Sequence, residues 1–414
     1  MAQLGTFLLS HLRRRTSDGR YRPEVDGLRF VAIGVVIVGH LLERSLRTYG
    51  APQSASTRGV IDLLAKPGPG VLLFFAISGF IIASQFLKRP SNPLEAASLK
   101  RYFKRRVLRI EPPYIILLVG TFVLVGTTGL RFGDSGRFNA EPHSLVTSFL
   151  GSLAYSHGWL FGSMPRLFPP GWSLEIEVQF YLVAPVLFAL MFALKLPVDR
   201  FAAGMVLLLV SIYIACFVPW SRHTPFTQFT LLLYFPYFWL GVLVAEGQAA
   251  MRSALDGRRR VAALLGWAGL AVFLATTLMV HAVDPASGFI YMSGLIAGVL
   301  MMFCGVLAPS SSFRSFCALP AVSLIGGQCY SIYLTHLQVL QLTSPLLVRL
   351  LRGHATPVWL VAAVALQIIV VLGVGVVFYA LIERPFMADD WPRRLAERLG
   401  RRPSLRLAPN LDAS

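Results

Sequence analysis

The sequence predicts an all-α fold, a polytopic membrane helical bundle of about ten transmembrane helices with both termini cytoplasmic. Three observations carry that expectation. Of 414 residues, 55% are apolar and only 14% are charged, whereas soluble globular chains run at about 45–50% and about 25%. Ten stretches are long and apolar enough to cross a hydrocarbon core, which takes about 20 residues at about 1.5 Å each. Lys and Arg, moreover, are shared unequally between the connecting segments. The composition excludes a disordered chain, which would need far fewer apolar residues, and argues against a soluble two-domain enzyme.

The ten stretches fall at 27–43, 70–87, 110–128, 172–194, 203–220, 229–247, 261–281, 289–308, 320–343 and 358–382. The first is short, but its basic lead-in can snorkel. A further apolar segment, Leu145 to Phe161, is interrupted by Ser, Gly and His and is followed by Met164-Pro165. It reads as an outer-face or re-entrant segment. With the N-terminus inside and the spans alternating, the inner segments hold 27 of the 38 Lys and Arg and the outer segments 10, with Arg29 inside the first span. That asymmetry sets the direction of the bundle. It also explains the formal net charge of +18 without a nucleic-acid partner, because the cations border the inner leaflet and do not gather into one patch.

The chain thus divides into a basic cytoplasmic segment 1–26, a transmembrane domain 27–383 and a basic cytoplasmic tail 384–414. Its start is not a secretory signal, since Arg13-Arg14-Arg15 follows the short apolar stretch and no small-residue cleavage site comes after it. Cys216, Cys304, Cys317 and Cys329 form no close pair and read as packing residues. The histidines never fall at ligand spacing with acids or cysteines, so no metal is expected.

Ionisable groups at membrane depth cost at least about 2.5–3.5 kcal/mol each, so each needs a reason. Arg29 and His40 are eleven residues apart in the first span, which returns them to within about 20° of one direction with a rise of about 16 Å. An elongated ligand on that face would touch both; the bland reading has Arg29 snorkel and His40 pack. Arg105, Arg106 and Arg109 precede the third span, with Arg105 and Arg109 one helical turn apart. Such guanidinium groups suit a multiply charged phosphate, or else a positive-inside anchor. Pro112-Pro113 just beyond suggests a broken entrance.

Two carboxylates, Glu175 and Glu177, enter the fourth span and point about 200° apart, so both cannot face one cavity. Glu177 shares its face with Ser173 and Tyr181, while Glu175 better suits compensation of the helix N-terminus. Ser78-Gly79 in the second span permits close backbone approach. His336 in the ninth span serves either a polar cavity or a bridge between helices.

These segments, taken in order, resemble acyltransferase family 3, the membrane proteins that include O-antigen, Nod-factor and macrolide O-acylating enzymes. The resemblance runs from Tyr21-Arg22-Pro23-Glu24-Val25-Asp26-Gly27-Leu28-Arg29 through the Arg29–His40 spacing to Phe74-Phe75-x-x-Ser78-Gly79-Phe80. It continues with Arg105-Arg106-x-x-Arg109, then Trp172-Ser173-Leu174-x-x-Glu177-x-Gln179-Phe180-Tyr181. Tyr330-Ser331-x-Tyr333-Leu334-x-His336 and Glu383-Arg384-Pro385 complete it. Any one motif is weak, but the ordered set covers residues 21–385.

The resemblance implies an acyl-CoA donor, acetyl-CoA first, taken from the cytoplasm at the plasma (inner) membrane. It implies a hydroxyl acceptor, often a sugar of an envelope polysaccharide or lipid-linked glycan, and no permanently bound cofactor. It makes His40 essential, with Arg29, Arg105, Arg106, Arg109 and Glu177 as functional positions. Some relatives carry a C-terminal extracytoplasmic hydrolase-like domain; the sequence stops about thirty residues after its last span, so none is expected here.

The expected chemistry assigns the CoA phosphates to Arg105, Arg106 and Arg109 and the pantetheine arm to Arg29. His40 is the general base or an acyl-imidazole relay, and Glu177 orients it or deprotonates the acceptor. Tyr181 and Ser78 stand as oxyanion donors, with Trp172, Tyr333 and His336 supporting the acceptor. Two alternatives remain: acylation of a macrolide or other small molecule, and a proton-coupled transporter or flippase using His40, Glu177 and His336 as a relay.

Overall fold

The computed structural model describes residues 12, 14, 21–44, 55–88, 92–130, 143–218, 227–351, 357–387 and 391–392. Among these residues there is no strand, and nine helices are long and apolar enough to cross a membrane. The expected helical membrane bundle is therefore the fold observed. Most of the N-terminal segment and the basic tail lie outside the described residues.

Helix α1 (Pro23–Leu41) opens with Pro in its first turn, where the ring presets φ, and with Glu24 and Asp26 set against the helix dipole. Helices α2 (Ala55–Leu64) and α3 (Gly68–Leu87) lead back across the bundle. Helix α4 (Ala96–Thr128) runs unbroken for 33 residues. The break expected at Pro112-Pro113 does not occur. Proline tolerates helical φ, and the bundle braces this stretch from outside: Tyr330 donates its hydroxyl to the Ile110 carbonyl at 2.7 Å.

The interrupted segment 145–161 folds as two short helices, α5 (Leu145–Leu153) and α6 (His157–Phe161), each too short to cross a bilayer. They are hinged at Tyr155, whose φ of 52° lies in the left-handed region. Helices α7 (Gly171–Ala193), α8 (Pro197–Phe217), α9 (Leu231–Ala254), α10 (Arg259–Met279) and α11 (Pro285–Leu307) overlap the expected spans, with α8 starting six residues earlier and α9 ending seven later than expected. A short α12 (Ser312–Cys317) comes next.

The expected span 320–343 is realised differently. It divides at Gln328 into α13 (Pro320–Gly327) and α14 (Cys329–Leu351). Helix α14 is not one of the nine, because Tyr330, Ser331, Tyr333, Thr335, His336, Gln338 and Gln341 make it too polar. Helix α15 (Pro357–Phe378) passes through a π-helical turn, Tyr379–Glu383, into α16 (Arg384–Phe386).

Two close approaches position the site. A Cβ on Gly79 of α3 would strike the carbonyl of Phe238, and one on Gly241 of α9 the carbonyl of Ala76, so these backbones touch and fix where Ser78 points. Gly326 likewise lets α13 press on the carbonyl of Asp26, which brings the α13–α14 break beside the charged start of α1. All four cysteines are free thiols, Cys216 and Cys317 buried, as expected of packing residues.

Candidate active site

A cavity of about 960 Å³, counted to its open mouth, lies between α1, α3, α4, α7 and α14. Its walls hold Arg14, Arg29, Arg106 and Arg109 on one side and Phe74, Phe75, Ser173 and Tyr333 on the other, with Ser78, Glu177 and Tyr181 along them. The chain direction explains this polarity. Arg29 and Cys329 sit near the starts of α1 and α14, whereas Phe74 and Ser173 sit near the starts of helices running the opposite way.

The cationic end is built, not merely basic. Asp26, 3% exposed, accepts from Arg29 within its own helix and from Arg14 at 3.3 Å. Arg106 donates to Gln85 at 2.9 Å, and its guanidinium lies over the rings of Tyr102 and Tyr181 at 5.5 and 5.2 Å. Arg105 is half-buried and not a wall residue. On α4 the buried Tyr102 and Pro113 mark the inward face, and Arg106 and Arg109 fall on the line between them as wall residues, with Arg105 on the flank. Of the three arginines expected at the donor phosphates, Arg106 and Arg109 line the cavity and Arg105 does not.

Glu177 faces this cavity. Its Oε1 accepts from Ser78 Oγ at 2.6 Å and from Tyr181 OH at 2.5 Å. The roles expected of Ser78 and Tyr181 change accordingly: both hydroxyl protons are committed to the carboxylate and are not free for an oxyanion. Glu175 points elsewhere. It is fully buried and accepts from the Gly158 amide at 2.8 Å, tying α6 to α7. Beside it, His157 meets Ser148 at 2.8 Å. In the same segment, burial raises the Tyr155 phenol far above its ordinary range, so it stays protonated.

Arg29 and His40 lie on one uninterrupted helix, yet only Arg29 lines the cavity. His40 stands beyond it, its ring 5.2 Å from that of His336 and its Nδ1 3.4 Å from Glu43 Oε2. Between cavity and histidines, Phe74 and Tyr333 meet edge to face at 6.2 Å. Tyr333 is anchored by Ser173 at 2.7 Å and the Pro170 carbonyl at 3.0 Å, and its ring lies 5.5 Å from His336. Trp172 packs against Phe75 and Tyr234, supporting the wall without entering it. The expected contact of Glu177 with His40 is absent, since the carboxylate is held by Ser78 and Tyr181.

A family model described as an acyltransferase domain matches residues 22–381. The chain belongs to that acyltransferase family. Among its relatives is a Staphylococcus aureus protein (strain MSSA476) named as a candidate O-acetyltransferase, 27% identical over 344 residues, covering 78% of this chain and 51% of the relative. The peptidoglycan O-acetyltransferase OatA of Listeria monocytogenes is 27% identical over 361 residues, covering 81% and 52%. A Bacillus subtilis protein named as a candidate peptidoglycan O-acetyltransferase is 25% identical over 405 residues, covering 91% and 56%. The chain spans about half the length of these curated relatives. No solved structure gives a significant match.

For this acyltransferase-family chain, sequence reasoning missed two carboxylates that stand among its arginines. Asp26 is one. Glu383 is the other: it is 1% exposed, accepts from Ser331 N and Oγ at 3.1 and 2.5 Å, and has Arg109 and Arg14 as its cationic neighbours. Both sat inside the quoted motifs; the i,i+3 spacing of Asp26 and Arg29 on one helix was a signal that could have found the first, whereas nothing in the sequence places Glu383 beside Arg109 and Arg14. Tyr330 and Gln85 were passed over for the same reason.

Proposed function

We propose that this chain is an acyl-CoA-dependent O-acyltransferase of the plasma (inner) membrane, moving an acyl group, acetyl first, to a hydroxyl of an envelope carbohydrate. The carrying observation is the polarity of the cavity, with four guanidinium groups at one end and a hydrogen-bonded carboxylate with aromatic walls toward the two histidines. The positive-inside count directs the cationic end toward the cytoplasm, where acyl-CoA is made.

In this reading Arg106 and Arg109, with Arg29 and Arg14, bind the donor's phosphates, since forked guanidinium donors match phosphate oxygens. The pantetheine arm extends along α1 past Arg29, whose distance to His40 is about 16 Å by helical rise. The thioester carbon then meets the acceptor near Tyr333. His40 takes the hydroxyl proton as the oxygen attacks; the C–O bond forms, the C–S bond breaks, and the proton passes to the departing thiolate. Glu177 Oε2, which has no partner among the described residues, receives a donor or acceptor hydroxyl while Ser78 and Tyr181 hold Oε1 still.

The relatives' names favour acetyl as the group and a glycan as the acceptor over a macrolide. A proton-relay transporter is disfavoured because Glu177 bonds Ser78 and Tyr181 and neither histidine. The test uses inside-out membrane vesicles containing the full chain and labelled acetyl-CoA. Label should enter the glycan fraction there and not in right-side-out vesicles; equal labelling in both, or none in either, contradicts the proposal.

A further inference from the structure

The two histidines carry more than the reading above assigns to them. His336 is fully buried. Its Nδ1 lies 2.7 Å from the backbone carbonyl of Tyr333. A carbonyl oxygen only accepts, so the ring proton of neutral His336 sits on Nδ1 and Nε2 is a bare lone pair. That Nε2 has no hydrogen-bond partner among the described residues, nor does His40 Nδ1. A buried polar atom left without a partner is costly and rare, and asks for an explanation.

The geometry of the pair supplies one. The ring centroids are 5.2 Å apart and tilted by 40°, the spacing of two imidazoles joined by one N–H···N bond of ordinary length. Among the described residues, the charged groups beside the pair include Glu43, 3.4 Å from His40 Nδ1, and Arg44, 3% exposed and donating to Gln341 at 3.4 Å.

We propose that His336 is the positioning residue of His40: its Nε2 accepts the N–H of His40 and so leaves the opposite nitrogen of His40 bare and aimed at the reacting hydroxyl. Catalytic hydrogen bonds are often long before substrate arrives and close in the loaded complex. His336 thereby takes the role that the sequence suggested for Glu177. The balance of the transfer is unchanged, because His336 keeps its own proton on Nδ1 and only accepts a hydrogen bond. This inference rests on the acyltransferase reading, with His40 as base.

Two substitutions separate the nitrogens of His336. His336→Gln places an amide oxygen where Nε2 stood, and His336→Asn places an amide N–H where Nδ1 stood. If Nε2 does the positioning, His336→Gln keeps kcat within about tenfold of the wild type, while His336→Asn loses about 100-fold. In both, the KM for acetyl-CoA stays within about twofold, because the donor's phosphates are held elsewhere. The opposite ranking would mean that His336 serves only to bind the Tyr333 carbonyl, and would overturn the proposal, as would equal retention in both variants. A rise in donor KM together with the fall in kcat also overturns it, by showing a collapsed cavity. Should His336→Gln fail to fold, His336→Asn and His336→Phe decide: wild-type kcat in either contradicts the proposal. Failure of the wild-type chain to transfer acetyl at all would instead sink the acyltransferase reading.

Discussion

Tyr181 donates its hydroxyl to Glu177 at 2.5 Å, one turn back along the same helix. With Ser78 from α3 on the same oxygen at 2.6 Å, this bond fixes the carboxylate, and in the proposed reaction its second oxygen meets a substrate hydroxyl. Glu177→Gln should therefore lower acetyl transfer by about 100-fold or more, with the protein still folded. Tyr181→Phe should cost about tenfold, because Ser78 still holds the oxygen. Initial rates with labelled acetyl-CoA check the ranking, and equal rates in both variants would refute it.

The arginines should separate by position along α4. Arg106→Ala and Arg109→Ala each remove a charge-assisted contact of about 1.5–3 kcal/mol, a weakening of donor binding by about 10- to 100-fold. Arg105→Ala, on the flank of the cavity, should change it by less than about twofold. Binding of a non-hydrolysable acyl-CoA to the purified chain gives the comparison; equal losses at Arg105 and Arg106 would contradict the assigned faces.

Glu175 is a structural contrast to Glu177. Glu175→Ala strands the Gly158 amide in a buried position and should cost about 1–3 kcal/mol of stability. The thermal midpoint of the solubilised protein should fall while turnover per folded molecule stays near that of the wild type. A loss of turnover without a loss of stability would move Glu175 into the chemistry.

The α3–α9 contact leaves no room for a side chain. Gly79→Leu pushes carbon atoms into the Phe238 carbonyl, an overpacking that should cost at least about 1–3 kcal/mol and reduce the yield of monodisperse protein. Normal yield and activity would show that the two backbones separate freely.

The bundle was legible in the sequence because lipid permits only long apolar stretches between polar loops, and α7 through α11 overlap those stretches. Of the ionisable residues singled out in the sequence, Arg29, Arg106, Arg109 and Glu177 line one cavity, while Arg105 and His40 do not. What failed was angular detail within one helix and pairing between helices. Arg105 and Arg106 differ by one residue, and only the buried stripe through Tyr102 and Pro113 says which of them faces inward. The split of 320–343 at Gln328 had a local signal in Gly326-Gly327, but nothing in the sequence says that Tyr330 and Tyr333, among the residues that make α14 polar, line the cavity. His40 was recognised by residue type and spacing. Its neighbour His336 lies nearly three hundred residues away in sequence, so only the folded helices bring the rings together.

In the proposed reaction the donor binds at the arginine end and is activated near His40. The most direct measurement is the binding and turnover of labelled acetyl-CoA by purified His40→Ala beside the wild type. We expect unchanged donor affinity with acetyl transfer lowered by about 1,000-fold or more. Transfer near the wild-type rate, or donor binding lost along with it, would contradict the account.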